Sequence, residues 1–245
     1  MKISLLHNKL NPAIWDLDSE QKYTINQNLR KKLLKLAKGF YKQSELTASI
    51  KDVILTGSNA NYNWTQFSDL DLHIVIDYKD INDDTELVRK VCNGIKTRWN
   101  TEHQIKLNGY NVEVYIQDEN EPHVASGIYS LLNDKWIKEP KLQNIVIDKE
   151  TLKSKYYDFV SRIKEVQKSK DEAKAKKLFD DILRMRKTGL QKEGEYSIEN
   201  LTFKLLRSME WIKTLKDLVN SLYDKNIVTE LIFYEKNLKK MKNIY

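Results

Sequence analysis

The chain has 245 residues, 40% hydrophobic and 31% charged, which excludes a disordered polymer and suits one large core or two modest ones. Its single cysteine, Cys92, excludes an intramolecular disulfide and a cysteine-built zinc site. The net charge of +7 is unevenly placed, for residues 1–150 hold 20 Lys and Arg against 21 Asp and Glu while residues 151–245 hold 22 against 14. A basic half beside a neutral one points to a polyanionic partner, and the competing reading is a set of lysine-rich, solvated helix faces.

In chain order, MKISLLHNKLNPAIW carries too short an apolar run for a signal peptide. No window approaches a membrane span, so a cytoplasmic location and no membrane partner are expected. Leu29, Leu33, Leu36 and Phe40 recur at helical spacing and predict a helix over residues 20–42, with Asp18 or Ser19 as its N-cap. KDVILTGS reads as a short buried strand ending in a turn. SDLDLHIVID alternates Asp69, Asp71 and His73 on one face with Leu70, Leu72 and Ile74 on the other, the period of a second strand. Residues 84–101 predict a helix with Leu87, Val91 and Ile95 on one stripe, and Cys92 there reads as a small core residue. YNVEVYIQD is a third strand, with Val112 and Val114 opposite Glu113. Residues 124–133 read as a short helix and KEPKLQN as a loop. Beyond residue 150 the pattern is helical, over 151–167, 171–187, 197–222 and 224–243, with Ser197 as an N-cap and Glu199 in the first turn of the third. The expected fold class is α/β of the α+β kind: a small mixed sheet with an N-terminal helix in residues 1–150, and a basic helical domain in residues 151–245.

Three features of residues 54–77 carry chemistry. An apolar strand runs directly into Gly57 and Ser58, ten residues follow, and Asp69 and Asp71 then stand two apart in an apolar strand. Glu113 lies alone among apolar neighbours in a later strand. Carboxylates at i and i+2 of a strand point the same way, and hard oxygen donors suit Mg²⁺ or Mn²⁺. Lone acids in otherwise apolar strands are costly without a partner or a metal. Two such ions, roughly 3.5–4 Å apart, hold the attacking and leaving oxygens in phosphoryl transfer. A glycine allows close backbone approach to phosphate, and Ser58 with amides of a following helix N-terminus could bind it.

This arrangement resembles the DNA polymerase β-like nucleotidyltransferase superfamily, whose signature is Gly-Ser, a spacer of about ten residues, an Asp-x-Asp strand and a later lone carboxylate. The matching positions are Gly57, Ser58, Asp69, Asp71 and Glu113, within roughly residues 50–117. The resemblance implies transfer of NMP from an NTP to an acceptor hydroxyl with release of pyrophosphate. It implies Asp69, Asp71 and Glu113 as catalytic metal ligands and Gly57 and Ser58 as nucleotide-binding. Small members of the superfamily often continue Gly-Ser-x-Ala-Arg-Gly, whereas this chain continues Asn59-Ala60-Asn61-Tyr62 and lacks the arginine. That branch's acceptor does not carry over.

Related enzymes often hold the triphosphate with basic residues of a helical second domain, which makes Lys204 and Arg207, three apart on one helix face, nucleotide-binding candidates. Arg184, Arg186 and Lys187 are the nucleic-acid-binding candidates. His73 is either a hydrogen-bonded core residue or a group beneath the metals, and Ser68 could orient Asp69. Tyr62 and Trp64 either pack in the core or stack on a base. His123 and Ser126 either cap a helix or face the site. The basic half favours a nucleic-acid 3′ end as acceptor. Nucleotidylation of a protein or small molecule, and non-catalytic nucleic-acid binding on the same scaffold, are the other readings. The oligomeric state leaves no mark in the sequence.

Overall fold

The computed structural model describes residues 5–123, 125–143 and 145–242. Residues 1–4 of the N-terminal segment, Val124 in the expected helix over 124–133, Asn144 in the expected loop and residues 243–245 at the end of the expected last helix lie outside them. The chain divides into two compact units, Met1–Asn144 and Ile145–Tyr245.

The first unit opens with a hairpin in place of the expected helix start. Strand β1 (Trp15–Leu17) pairs antiparallel with β2 (Tyr23–Ile25). The Asp18 carboxylate accepts the amides of Glu20 and Lys22 at 2.9 Å each, and Gln21 takes a left-handed φ of 61°. A side chain that satisfies its own turn competes with helix initiation. Helix α1 therefore begins later, at Gln27–Gln43, where the Asn26 side chain accepts the Leu29 amide.

Strands β3 (Ile50–Thr56) and β4 (Leu70–Ile76), helix α2 (Thr85–Glu102), and strands β5 (Lys106–Leu107) and β6 (Tyr110–Asp118) follow. The expected helix over 124–133 is instead strand β7 (Ile128–Ser130) and a turn leading to β8 (Lys135–Lys138). Ile128 and Tyr129 suit a strand. The β3 edge supplies partners, since Leu55 pairs with Tyr129 and Val53 O accepts the Leu131 amide at 2.7 Å. Arg30 then holds the turn through the carbonyls of Leu131 and Leu132.

The main sheet has the order β5-β6-β4-β3-β7-β8. It is mixed: β4 and β6 are parallel, joined by the α2 crossover, and the other pairs are antiparallel. One face is the core, where Leu29, Leu33, Ala37 and Phe40 of α1 and Val88 and Cys92 of α2 cluster with Leu55, Leu70, Leu72, Ile74, Val112, Val114 and Ile116. The strand period therefore turns Asp71, His73, Glu113 and Tyr115 to the opposite face.

The second unit is helical: α3 (Lys149–Ser169), α4 (Glu172–Glu193), α5 (Ile198–Ser208) and α6 (Trp211–Lys242). Its core joins Phe159, Ile163, Leu178, Ile182, Phe203, Leu206, Leu215 and Leu222. Ser197 caps α5 as expected, accepting the Asn200 amide. The break expected near residue 223 falls instead at Met209–Glu210, where Glu210 turns to a left-handed φ of 60° and Ser208 Oγ donates to Leu205 O. Among the described residues no helix is long and apolar enough to cross a membrane.

The two possible helix starts are separable by mutation. Asn26→Ala should lower stability by about 1 kcal/mol through loss of the cap, whereas Ser19→Ala, in the exposed hairpin turn, should leave the urea midpoint unchanged. Equal midpoints for both variants would contradict the cap assignment.

Candidate functional site

The register of three strands sets the site. Asp71 of β4 stands opposite Glu113 of β6, and Thr56, the last residue of β3, stands opposite Asp71. Register partners project to one face, so Thr56, Asp71 and Glu113 form a single row. His73 and Tyr115 form the next row, and Val75 and Gln117 the one after. Asp69 lies one residue before β4 and is buried, while Asp71 is partly buried and Glu113 exposed.

Gly57 ends β3 with a φ of 76°, a conformation that side chains resist. A Cβ there would lie 1.7 Å from Asp71 Oδ2, so the carboxylate of Asp71 rests against a bare Cα. Ser58 opens a single turn of 3-10 helix, Ser58–Ala60, in place of the expected longer helix, because Asn61 is already extended. The Ser58 hydroxyl donates to Ser68 Oγ at 2.8 Å, and Ser68 Oγ also accepts the Thr65 amide at 2.9 Å. Ser68 thus ties the Gly-Ser turn to the residue just ahead of Asp69.

Two residues that hold this turn carry no local motif. Asn59 is fully buried; its side chain donates to Asp69 O at 2.9 Å and accepts from Asn11 Nδ2 at 2.8 Å. Its own carbonyl accepts the Trp15 indole at 2.6 Å. Gly127 packs so closely that a Cβ would meet Ala60 O at 1.8 Å, and Gly127 O accepts the Thr56 hydroxyl at 3.0 Å. The only sequence signals are an asparagine after Gly-Ser and a glycine ahead of a strand, and both have partners far away in the chain.

Among the other candidates, Trp64 stacks on His7 at 3.8 Å and donates to Lys9 O, while Tyr62 packs against the core, so both take the packing role. His73 Nδ1 donates to Gln117 Oε1 at 2.8 Å, and Gln117 Nε2 donates to His123 Nδ1 at 3.2 Å. Desolvation in the sheet pushes His73 down to about 4, partly offset by the Gln117 hydrogen bond and reinforced by the charges of Lys96 and His123. The next described element after His123 and Ser126 is strand β7, not the helix they were expected to cap.

The basic candidates all lie in the second unit. Arg184 pairs with Asp181 at 2.8 Å, and the Arg186 guanidinium sits 4.4 Å from the Phe203 ring centroid. Lys187 is exposed; on α5 Lys204 is partly buried and Arg207 exposed. Arg184 and Lys187, three apart on α4, are both exposed, and Arg186 is partly buried.

Among the described residues no three Asp, Glu, His or Cys side chains are gathered closely enough to form a metal cluster. Backbone position and donor chemistry still fit a hard cation. Asp71 and Glu113 leave adjacent positions on one face, Asp69 leaves two residues earlier, and all three offer oxygen.

No protein-family description matches the chain, and no curated protein sequence matches it. One similar solved structure is a STING-associated c-di-GMP synthase, CdnE, from Capnocytophaga granulosa. It is 10% identical over 82% of this chain and 84% of that one, with a TM-score of 0.22. A likeness that low guides neither fold nor function.

Two outcomes test the geometry. Gly57→Ala should destabilise the protein by on the order of 2 kcal/mol, combining left-handed strain with displacement of Asp71. Gly109→Ala, at φ 88° with open space around it, should cost only the strain. In a double-mutant cycle Gly57→Ala should cost less on an Asp71→Ala background; strict additivity in chemical denaturation would refute the contact. The second outcome concerns acid. A folded-state value for His73 of about 4, below the ordinary histidine value of 6.5, means that the unfolded chain binds the proton first as pH falls. His73 therefore contributes stability that is full above about 6.5 and lost as pH drops towards 4, and denaturation midpoints of His73→Gln should be flatter across that window.

Proposed function

We propose that the chain is a divalent-metal-dependent nucleotidyltransferase that moves NMP from an NTP to an acceptor hydroxyl and releases pyrophosphate. The observation that carries this reading is the row formed by Asp71 and Glu113 across two parallel strands, with Gly57 against Asp71 and Asp69 two residues earlier. Asp69, Asp71 and Glu113 would hold Mg²⁺ or Mn²⁺, which when bound neutralises phosphate charge and acidifies the acceptor hydroxyl.

The chain's own residues do the positioning. Gly57 leaves room for the Asp71 carboxylate beside the turn. The Ser58 hydroxyl, by exchanging its bond to Ser68 for a phosphate oxygen, would offer a donor to the NTP, and Asn59 fixes that turn relative to Asp69. In the reaction the acceptor oxygen bonds to the α-phosphorus as the bond to the bridging oxygen breaks. The hydroxyl proton is released and pyrophosphate leaves.

For the acceptor we favour a nucleic-acid 3′ end, supported by the excess of basic over acidic residues, 22 against 14, in residues 151–245. Lys204 and Arg207 are assigned to the triphosphate, and Arg184, Arg186 and Lys187 to nucleic-acid phosphates. Arg184 and Arg186 would exchange their present partners, Asp181 and Phe203, for phosphate.

Asp69→Ala and Asp71→Ala should each abolish transfer of label from an α-labelled NTP while the circular dichroism spectrum stays native. Glu113→Gln should keep NTP binding and lose transfer, since the Asp pair still holds the triphosphate's ion. Near-normal turnover by either Asp variant in saturating Mg²⁺ would end the assignment.

A further inference from the structure

A cation that the reaction above leaves unused stands against Tyr115, a residue on the same face as Asp71 and Glu113. Tyr115 follows Glu113 by two residues on β6 and stands opposite His73, itself two residues beyond Asp71. Side chains two apart on a strand are separated by about 6.5–7 Å along it. The Lys96 ammonium, from α2, lies 4.7 Å from the centroid of the Tyr115 ring.

The acids of α2 and the acid beside Tyr115 have partners of their own. Glu121 accepts the Tyr115 phenol at 3.2 Å, Glu86 pairs with Arg89 at 2.9 Å, and Glu102 pairs with Arg98 at 2.9 Å. Lys96 itself forms no salt bridge among the described residues; the ring holds it, and it is only partly buried. An ammonium fixed by an aromatic face keeps its donors for a ligand.

Its position says which ligand. Gly57 and Ser58 end β3, whereas Tyr115 lies on β6, and β4 separates the two strands. Neighbouring strands are about 4.8 Å apart, so Tyr115 stands roughly 10 Å to the side of the turn assigned to the NTP and one row further along the sheet. That is the Glu113 side. An anionic group approaching there meets the negative charge of Glu113 and Asp71, which a positive charge at Tyr115 offsets.

We propose that Lys96, held on Tyr115, binds a phosphate of the acceptor, so that the acceptor is itself a phosphate-bearing nucleotide or strand end. This rests on the nucleotidyltransferase reading. The binding test is read without turnover, which keeps the two separable.

The test uses the full chain with two probes, a fluorescent single-stranded oligoribonucleotide and AMP. Lys96→Ala should weaken binding of one or both severalfold and Lys96→Arg should restore it, while affinity for an NTP measured with Ca²⁺ stays unchanged. For the oligonucleotide, the log–log salt dependence should flatten by about 0.7, one phosphate contact. Tyr115→Leu should mimic Lys96→Ala, and Tyr115→Phe, which keeps the ring, should not. A strand acceptor is indicated if only the oligonucleotide responds, and a mononucleotide acceptor if AMP responds. Unchanged affinity for both probes in Lys96→Ala, an equal loss of NTP affinity, or no binding of either probe by the unmodified protein at low salt would overturn the inference. Retained transfer by Asp71→Ala would overturn the reaction and leave the Lys96 binding result standing.

Discussion

The parallel pairing of β4 with β6 is the constraint on which the first unit is built. Parallel neighbours need a crossover, and α2 provides it while covering the core face of the sheet. The same pairing decides which side chains meet. A slip of one residue would turn Glu113 into the core and bring Val112 or Val114 to the face of Asp71. Leu70, Leu72 and Ile74 against Val112, Val114 and Ile116 make that slip prohibitive, because every apolar residue of the strand would face water. Hydrophobic register is thus what places two acids side by side.

Acids and polar turns at a sheet end must also be supported from behind. Asn59 does this in a fully buried position by linking Asn11, Trp15 and the carbonyl of Asp69. Removing such a group strands several partners at once, which is why buried polar networks are rigid when complete. The indole of Trp15 stacks on Trp136 at 4.4 Å and meets Tyr129 edge-on, and Trp136 donates to Tyr23 O. The small β1–β2 hairpin, β7, β8 and the Gly-Ser turn are therefore one packed body.

Much of the sheet was legible in the sequence, because alternation of Asp69, Asp71 and His73 with Leu70, Leu72 and Ile74 has one structural solution. The acids stood out as polar residues in apolar strands. Their register could not be read, since it depends on a partner strand some forty residues away. The helix start near residue 20 misled because Asp18 can cap a helix or close a hairpin turn, and only the pairing of Trp15–Leu17 with Tyr23–Ile25 decides. Residues 128–130 were hidden for a similar reason: a three-residue strand has no period of its own and exists because the β3 edge needs a partner. In the second unit Glu210 has no composition that marks a break, and its left-handed backbone is set by how α5 and α6 pack. Asn59 and Gly127 escaped because their roles lie in contacts 48 residues away (Asn11 to Asn59) or across the sheet (Gly127 to Ala60).

The strap formed by residues 7–15 has a consequence for the order in which the protein assembles. Four of its bonds run to distant partners: His7 N donates to Tyr62 O, Trp64 Nε1 to Lys9 O, Asn11 Nδ2 to Asn59 Oδ1 and Trp15 Nε1 to Asn59 O. A segment that leaves the ribosome early can make none of these bonds until residues 59–64 have also emerged. Closing so long a loop costs entropy before any contact repays it. Helix α1 and the β3–β4 hairpin can form from near neighbours, whereas the turn that carries Gly57 and Ser58 is locked only when residues 7–15 bond to it. The Gly-Ser end of the sheet is therefore among the last parts of this unit to become rigid, and it stays unfinished until residues 7–15 have docked.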